Sequence, residues 1–203
     1  QWTSSDALNA AIGQGYLIAN PLQLAVMAAR IASGRDVQPT LIGAHDRPAP
    51  LIGLDPQHLE VVRGGMWEVV NGDGTAGASR LMVPGIEMGG KTGTAQVRRL
   101  AASASRGQGG DWKYRDHGLF VFFAPTSNPR YAGAVVIEHG LGGAKAAAPV
   151  AKDVLTYLFD RPQAMARLAE LEIGWGGTLL ERNARRAAAV EAAATAATAA
   201  SRA

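Results

Sequence analysis

Two apolar, β-prone runs constrain this chain more than anything else in it. Residues 119–123 read Leu-Phe-Val-Phe-Phe, and residues 131–138 include Tyr131, Val135, Val136 and Ile137. Aromatic and β-branched side chains favour extended backbone, and Ser127-Asn128-Pro129 between the runs is a hairpin signal. Two antiparallel strands are marginal alone and need further strands or helices against them. The rest of the chain supplies both. Asn20-Pro21 offers an N-cap side chain followed by proline at the first helical position, and predicts a helix to about Ser33, stopped by Gly34. Leu22, Val26 and Ala29 share one face of it, with Ala25 and Ala32 beside them. Residues 35–54 are rich in proline and glycine and read as a loop with a short strand or two. Asp55-Pro56 repeats the cap signal, and Leu59, Val62, Met66 and Val69 follow at helical spacing until the turn formers Asn71-Gly72-Asp73-Gly74. A glycine-rich strand is expected at about residues 90–97. After the hairpin, residues 144–159 read as a helix with Val150, Val154, Leu155 and Leu158 on its apolar face. The order helix, helix, three strands, helix implies an α/β chain of the α+β type, an antiparallel sheet with flanking helices.

Composition excludes several functions. At 203 residues the chain fits one domain or a large part of one. A net charge of +3 with both signs mixed is too mild to mark a nucleic-acid-binding protein. With no cysteine, disulfides and thiolate metal sites are excluded. His45, His58, His117 and His139 are scattered, with no pair at metal-ligand spacing, so neither metal nor cofactor is expected. No apolar run reaches the length of a membrane span, and no signal peptide opens the chain.

The chemistry concentrates in Lys91-Thr92-Gly93-Thr94, preceded by Gly89-Gly90. Side chains alternate along a strand, so Thr92 and Thr94 share one face and Lys91 and Gly93 the other. The tetrapeptide by itself also fits a glycine-broken strand with a surface lysine.

A Lys-Thr-Gly strand is a signature of penicillin-binding proteins and serine β-lactamases, and here the flanks agree. The run Gly89-Gly90-Lys91-Thr92-Gly93-Thr94-Ala95-Gln96-Val97 resembles the motif strand of class B penicillin-binding proteins. So do Asn9-Ala10-Ala11-Ile12-Gly13-Gln14-Gly15-Tyr16 with Asn20-Pro21-Leu22-Gln23-Leu24-Ala25, and His117-Gly118-Leu119-Phe120-Val121-Phe122-Phe123-Ala124-Pro125. Gln14, where division-type members carry Tyr, is similar to the elongation branch, penicillin-binding protein 2.

The resemblance implies a peptidoglycan D,D-transpeptidase acting in cell elongation through a serine acyl-enzyme, with D-alanyl-D-alanine stem peptides as substrate and β-lactams as inhibitors. It implies that the Thr92 and Thr94 hydroxyls bind the substrate's terminal carboxylate and that the Lys91 ammonium faces the hydroxyl of a Ser-x-Asn loop. Gly93 would admit the helix that carries the nucleophile, and the Thr94 N–H would be one oxyanion donor. The parent would sit at the periplasmic face of the bacterial inner membrane on an N-terminal helix, beside a membrane glycan polymerase and the cell-elongation complex. It implies no cofactor, no metal and no nucleic acid. Two signatures are missing, because the chain contains no Ser-x-x-Lys and no Ser-x-Asn before residue 91. It is therefore expected to be the C-terminal part of a longer enzyme, without a nucleophile and inactive alone. Residues 1–160 would belong to the transpeptidase domain. Residues 161–203 would be a helical, Ala-rich extension: a helix over 163–173, a break at Gly174-Trp175-Gly176-Gly177, then a frayed helix or a disordered tail.

Gln14 is assigned to backbone groups around Gly13 and Gly15, and His117 to a structural role. Trp112 and Tyr114, in a basic loop with Arg98, Arg99 and Arg106, either line the approach to the site or pack at a loop tip. A serine β-lactamase or β-lactam sensor, and a non-catalytic cell-wall binding module of the same fold, are the competing functions.

Overall fold

The computed structural model describes residues 2–11, 13, 15, 18–43, 48–97 and 111–200. The readings of Ile12, Gln14, Tyr16, His45, Arg98, Arg99 and Arg106 lie outside the described residues. The chain divides into two compact units, Gln1–Leu155 and Thr156–Ala203.

The first unit contains the sheet. Strands β1 (Gly89–Ala95), β2 (His117–Ala124) and β3 (Tyr131–Ile137) lie antiparallel in chain order. β1 extends one residue earlier than expected and ends two earlier. The phenylalanines of β2 interlock with glycines on both neighbours. Phe123 lies opposite Gly89 and Phe122 opposite Gly133. A Cβ at Gly89 would come within 3.0 Å of the Phe123 ring, and Cβ atoms at Gly133 and Gly90 would overlap the rings of Phe122 and Phe120. These glycines are empty places that aromatic rings fill.

Helices α2 (Pro21–Ser33) and α3 (Pro56–Asn71) begin where their cap signals stand. Asn20 and Gln23 form a reciprocal capping box, and Gly34 closes α2 in the left-handed conformation at φ 68°. The buried faces differ from the expected ones. α2 buries Ala28 and Ala32, with Leu24 and Ile31 partly buried, against Val121, Phe123 and Met66. Leu22 is largely exposed. α3 buries Leu59 and Met66 as expected, with Val70 in place of Val62 and Val69. In α4 (Ala148–Phe159) Leu155 is fully buried as expected, while the small Ala148 and Ala151 are fully buried in place of Val150, Val154 and Leu158. Alanine lets a helix approach a sheet closely, so a pattern weighted by side-chain size picks the neighbouring stripe.

Three features lay outside the expectations. A first helix, α1 (Ser4–Ala11), starts at a reciprocal Thr3–Asp6 cap: the Asp6 N–H donates to Thr3 Oγ1, and the Thr3 N–H and hydroxyl donate to Asp6 Oδ2. α4 is entered through a π-turn, Gly143–Ala147, where a helix from residue 144 was expected. The strand pieces expected in 35–54 reduce, among the described residues, to one isolated bridge, Arg35 to Leu51.

The second unit is helical. α5 (Arg161–Gly174) is capped by Asp160, whose carboxylate accepts from the Gln163 N–H, with Pro162 in the first turn. α6 (Leu179–Ala200) is a helix over the stretch where a frayed helix or a disordered tail was expected. Thr178 and Glu181 cap it reciprocally, and alanine has the highest helix propensity. Beyond Thr156 no described residue is buried. No helix among the described residues is long and apolar enough to cross a membrane.

Candidate functional site

β1, like β3, is an outer strand: β2 pairs with one of its edges, and among the described residues no strand pairs with the other. Its middle carries the four residues singled out above. Thr92 and Thr94 lie on the sheet face that holds Phe120, while Lys91 and Gly93 lie on the face that holds Val121 and Phe123. Thr94 and Lys91 are exposed, and Thr92 and Gly93 half-buried. Lys91 Nζ donates to the carbonyl of Thr92 at 2.7 Å, so the ammonium is held along the strand's own backbone. The resemblance assigns it to the hydroxyl of a Ser-x-Asn loop, a tripeptide that does not occur before residue 91.

Three contacts fix the strand. At its start, Asn71 at the end of α3 donates through Nδ2 to the carbonyls of Trp67 and Met88, at 3.1 and 2.9 Å. Behind its middle, a Cβ at Gly143 would overlap the Leu119 carbonyl oxygen and come within 3.0 Å of the backbone N and O of Gly93. The entrance to α4 is therefore pressed against the backbone of β1 and β2, with room for glycine alone. A Cβ at Gly93 itself would meet only Leu119 Cβ, at 3.4 Å. The close approach within this chain is thus made by Gly143.

The third contact involves a residue that the sequence reading passed over. Thr75 Oγ1 lies 2.9 Å from Thr92 Oγ1. The turn formers after α3 place it there. The Gly74 N–H donates to Glu68 O and the Ala76 N–H to Val69 O, folding the loop back on the helix end. A Cβ at Gly74 would overlap the backbone of Val69, so this return requires glycine. Asn71-Gly72-Asp73-Gly74 announced the turn, but nothing local announced that it returns to β1.

The arrangement offers an ammonium, two neighbouring hydroxyls with a third behind them, and the backbone of an outer strand. Such a set can hold an extended peptide ending in a carboxylate, by main-chain pairing along the edge and by charge and hydroxyl contacts at its end. It contains no nucleophile with a base. Among the described residues no three His, Cys, Asp or Glu side chains cluster as a metal site would require.

Residues 1–156 match the penicillin-binding protein transpeptidase domain. The chain is 33% identical to the peptidoglycan D,D-transpeptidase MrdA of Acinetobacter baumannii over 87% of its own length and 28% of that protein's. The crystal structure of Pseudomonas aeruginosa PBP2 in complex with WCK 5153 superposes with a TM-score of 0.57 at 38% identity, covering 76% of this chain and 32% of that one. Helicobacter pylori PBP2 in its complex with MreC gives 0.63 at 31% identity, over 79% and 29%. The chain thus spans 27% to 28% of the length of such curated relatives.

Proposed function

The chain belongs to the penicillin-binding protein transpeptidase family, among the peptidoglycan D,D-transpeptidases, and on that premise we propose that its parent protein cross-links stem peptides during cell elongation and that residues 89–95 are the strand on which the substrate lies. The observation that carries the proposal is the exposed outer strand with Lys91, Thr92 and Thr94 in place. In this reading residues 1–160 are the C-terminal part of the transpeptidase domain and residues 161–203 a helical extension. The nucleophilic serine lies outside the 203 residues, and these residues alone are inactive.

The donor stem lies along β1 with its terminal carboxylate against the Thr92 and Thr94 hydroxyls. The serine oxygen attacks the carbonyl of the penultimate D-alanine. The Thr94 N–H and the serine's own N–H stabilise the oxyanion. One such donor is worth about 3–4 kcal/mol of transition-state stabilisation. The carbon–nitrogen bond breaks, the amine of D-alanine takes a proton and leaves, and an ester to serine remains. An amine of a neighbouring stem attacks that ester, forms the cross-link and returns the proton to serine. Lys91 supplies positive potential beside the serine and loop hydroxyls. Gly93 admits the nucleophile's helix. A β-lactam enters the same path and stops at the ester.

The enzyme works at the periplasmic face of the inner membrane, held by an N-terminal helix, with a membrane glycan polymerase and the elongation complex as partners. The complex of the Helicobacter pylori relative with MreC supports the last point.

The experiment is acylation of the full-length protein by labelled penicillin, followed by peptide mapping. The expected result is a stable label on a serine outside residues 1–203, formed about 100-fold more slowly in Lys91→Ala, the scale of one lost oxyanion-type contact. Rapid release of the label would make the protein a serine β-lactamase, and slow acylation coupled to a signal a sensor. Absence of any label would leave a non-catalytic cell-wall binding module of the same fold.

A further inference from the structure

The corner where β3 turns toward α4 contains two histidines in an arrangement that the family reading does not use. His139 and Leu141 have φ values of 56° and 68°, a left-handed backbone that side-chain-bearing residues rarely adopt. Two left-handed residues so close together persist only where the surroundings hold them. The holding contacts are explicit. The His139 N–H donates to His117 Nδ1 at 2.9 Å. His139 Nδ1 lies 2.9 Å from the Arg115 carbonyl, and the Leu141 N–H donates to the Asp116 carbonyl at 2.9 Å. The edge of Trp112 covers the His139 ring, 4.2 Å between centroids. The turn so fixed delivers Gly142 and Gly143 to the sheet. A Cβ at Gly118 would lie 2.8 Å from the Gly142 carbonyl oxygen, and Gly143 is pressed on the backbone of Gly93 and Leu119.

The two rings have different requirements. A carbonyl oxygen only accepts, so His139 Nδ1 must carry hydrogen, which both its neutral and its charged forms provide. His117 Nδ1 accepts an N–H and must be bare, which only the neutral ring with hydrogen on Nε2 allows. Protonation of His117 therefore removes the contact that holds His139. It also places a charge beside a second imidazole, 4.9 Å between centroids. Among the described residues, the other ionisable groups on the segments that meet here are Arg115 and Asp116 leading into β2, Glu138 just after β3 and Lys145 in the π-turn. The carboxylate of Asp116 accepts the Val97 N–H beyond β1.

We propose that His117 is a positioning residue: through the His139 turn and Gly143 it sets the height of the Gly93–Thr94 backbone, and hence of the Thr94 N–H. This rests on the transpeptidase reading above. It makes acylation depend on a neutral His117, the only form whose Nδ1 can accept the His139 N–H.

The test compares full-length wild type, His117→Asn and His117→Ala, measuring the rate of penicillin acylation and the preceding binding constant from pH 8 to 5. Asn keeps an acceptor at the place of Nδ1 but does not titrate. The expected result for His117→Asn is a near-native rate at pH 8, with the acid-side fall attributable to His117 removed. For His117→Ala the acylation step slows, with binding little changed. The slowing should lie between about fivefold, the net worth of one hydrogen bond, and about 100-fold, the loss of an oxyanion donor. An acid limb in His117→Asn identical to wild type overturns the proposal, whether or not His117→Ala folds. So does a native acylation rate in His117→Ala. A wild type that takes no label at any pH sinks both this inference and the transpeptidase reading, whereas a labelled wild type with insensitive variants sinks this one alone.

Discussion

The sheet of the first unit and the helices of the second are built on opposite principles. In the sheet, Phe120 and Phe123 are fully buried or nearly so, and each fills a place left by a glycine on a neighbouring strand. The glycines among them would not form this structure locally, since glycine is a poor strand former. Beyond Thr156, by contrast, no described residue is buried, yet α5 and α6 are continuous. Each begins at a side-chain cap, and α6 is rich in the best helix-forming residue. Arg182 over the Trp175 ring and the Arg185 guanidinium on the Gly176 carbonyl are short-range contacts of the same kind. Long-range packing specifies the site-bearing region, and sequence-local rules specify the other.

That contrast predicts a gradient of sensitivity. Phe120→Ala should cost about 3–5 kcal/mol in chemical denaturation of the full-length protein, the range for deleting a buried aromatic. A loss below about 1 kcal/mol would break the packing account. Gly143→Ala should cost about 1–3 kcal/mol, as overpacking does, and slow acylation as well, because the added methyl overlaps the Leu119 carbonyl. Asn20→Ala, which removes one half of a capping box, should cost about 1 kcal/mol. Thr75→Val should leave stability within about 0.5 kcal/mol of wild type, as exposed sites do. Acylation should nevertheless slow several-fold, about 1 kcal/mol for one hydrogen bond to Thr92, and Thr75→Ser should restore it.

The smallest effect belongs to α6. Hydrogen bonds from the backbone N–H and hydroxyl of Thr178 hold the Glu181 carboxylate below its ordinary value of 4.5. A group depressed in the folded state stabilises above its unfolded value, and that contribution is lost as pH falls through the lowered one. Protection of the amides in residues 179–200 against exchange should therefore fall below about pH 4.5, the ordinary glutamate range, and Glu181→Gln should abolish that dependence. Leu180→Ser, at a position 81% exposed, should change stability by less than about 0.5 kcal/mol.

The difference between the regions also explains what could be read in advance. Asn20-Pro21, Asp55-Pro56 and Gly34 marked helix ends within a residue because caps are local chemistry. The three strands and their antiparallel arrangement followed from composition and turns. The buried faces followed only in part: Ala32, Leu59, Met66 and Leu155 are buried as read, whereas Ala28, Val70, Ala148 and Ala151 are buried in places where larger or neighbouring side chains were expected. The helix α6 was legible from its alanines, and its start from Thr178-x-x-Glu181; Thr3-x-x-Asp6 marks the start of α1 in the same way. At the site, Lys91, Thr92, Gly93 and Thr94 stood out as a motif. Thr75 and His117 did not, because their contacts join residues 17 and 22 positions apart.

The pairing of phenylalanine with glycine across three strands has a consequence for how such a chain can change over time. At Gly90–Phe120, Gly133–Phe122 and Gly89–Phe123, neither residue can be enlarged or trimmed without its partner. A side chain at the glycine collides, and a smaller ring leaves a void. An acceptable exchange needs two coordinated mutations, and each single step toward it passes through a less stable protein. Substitutions at these six positions should therefore travel in pairs among descendants of this sequence. Single tolerated changes should accumulate instead on the exposed loops around the strand.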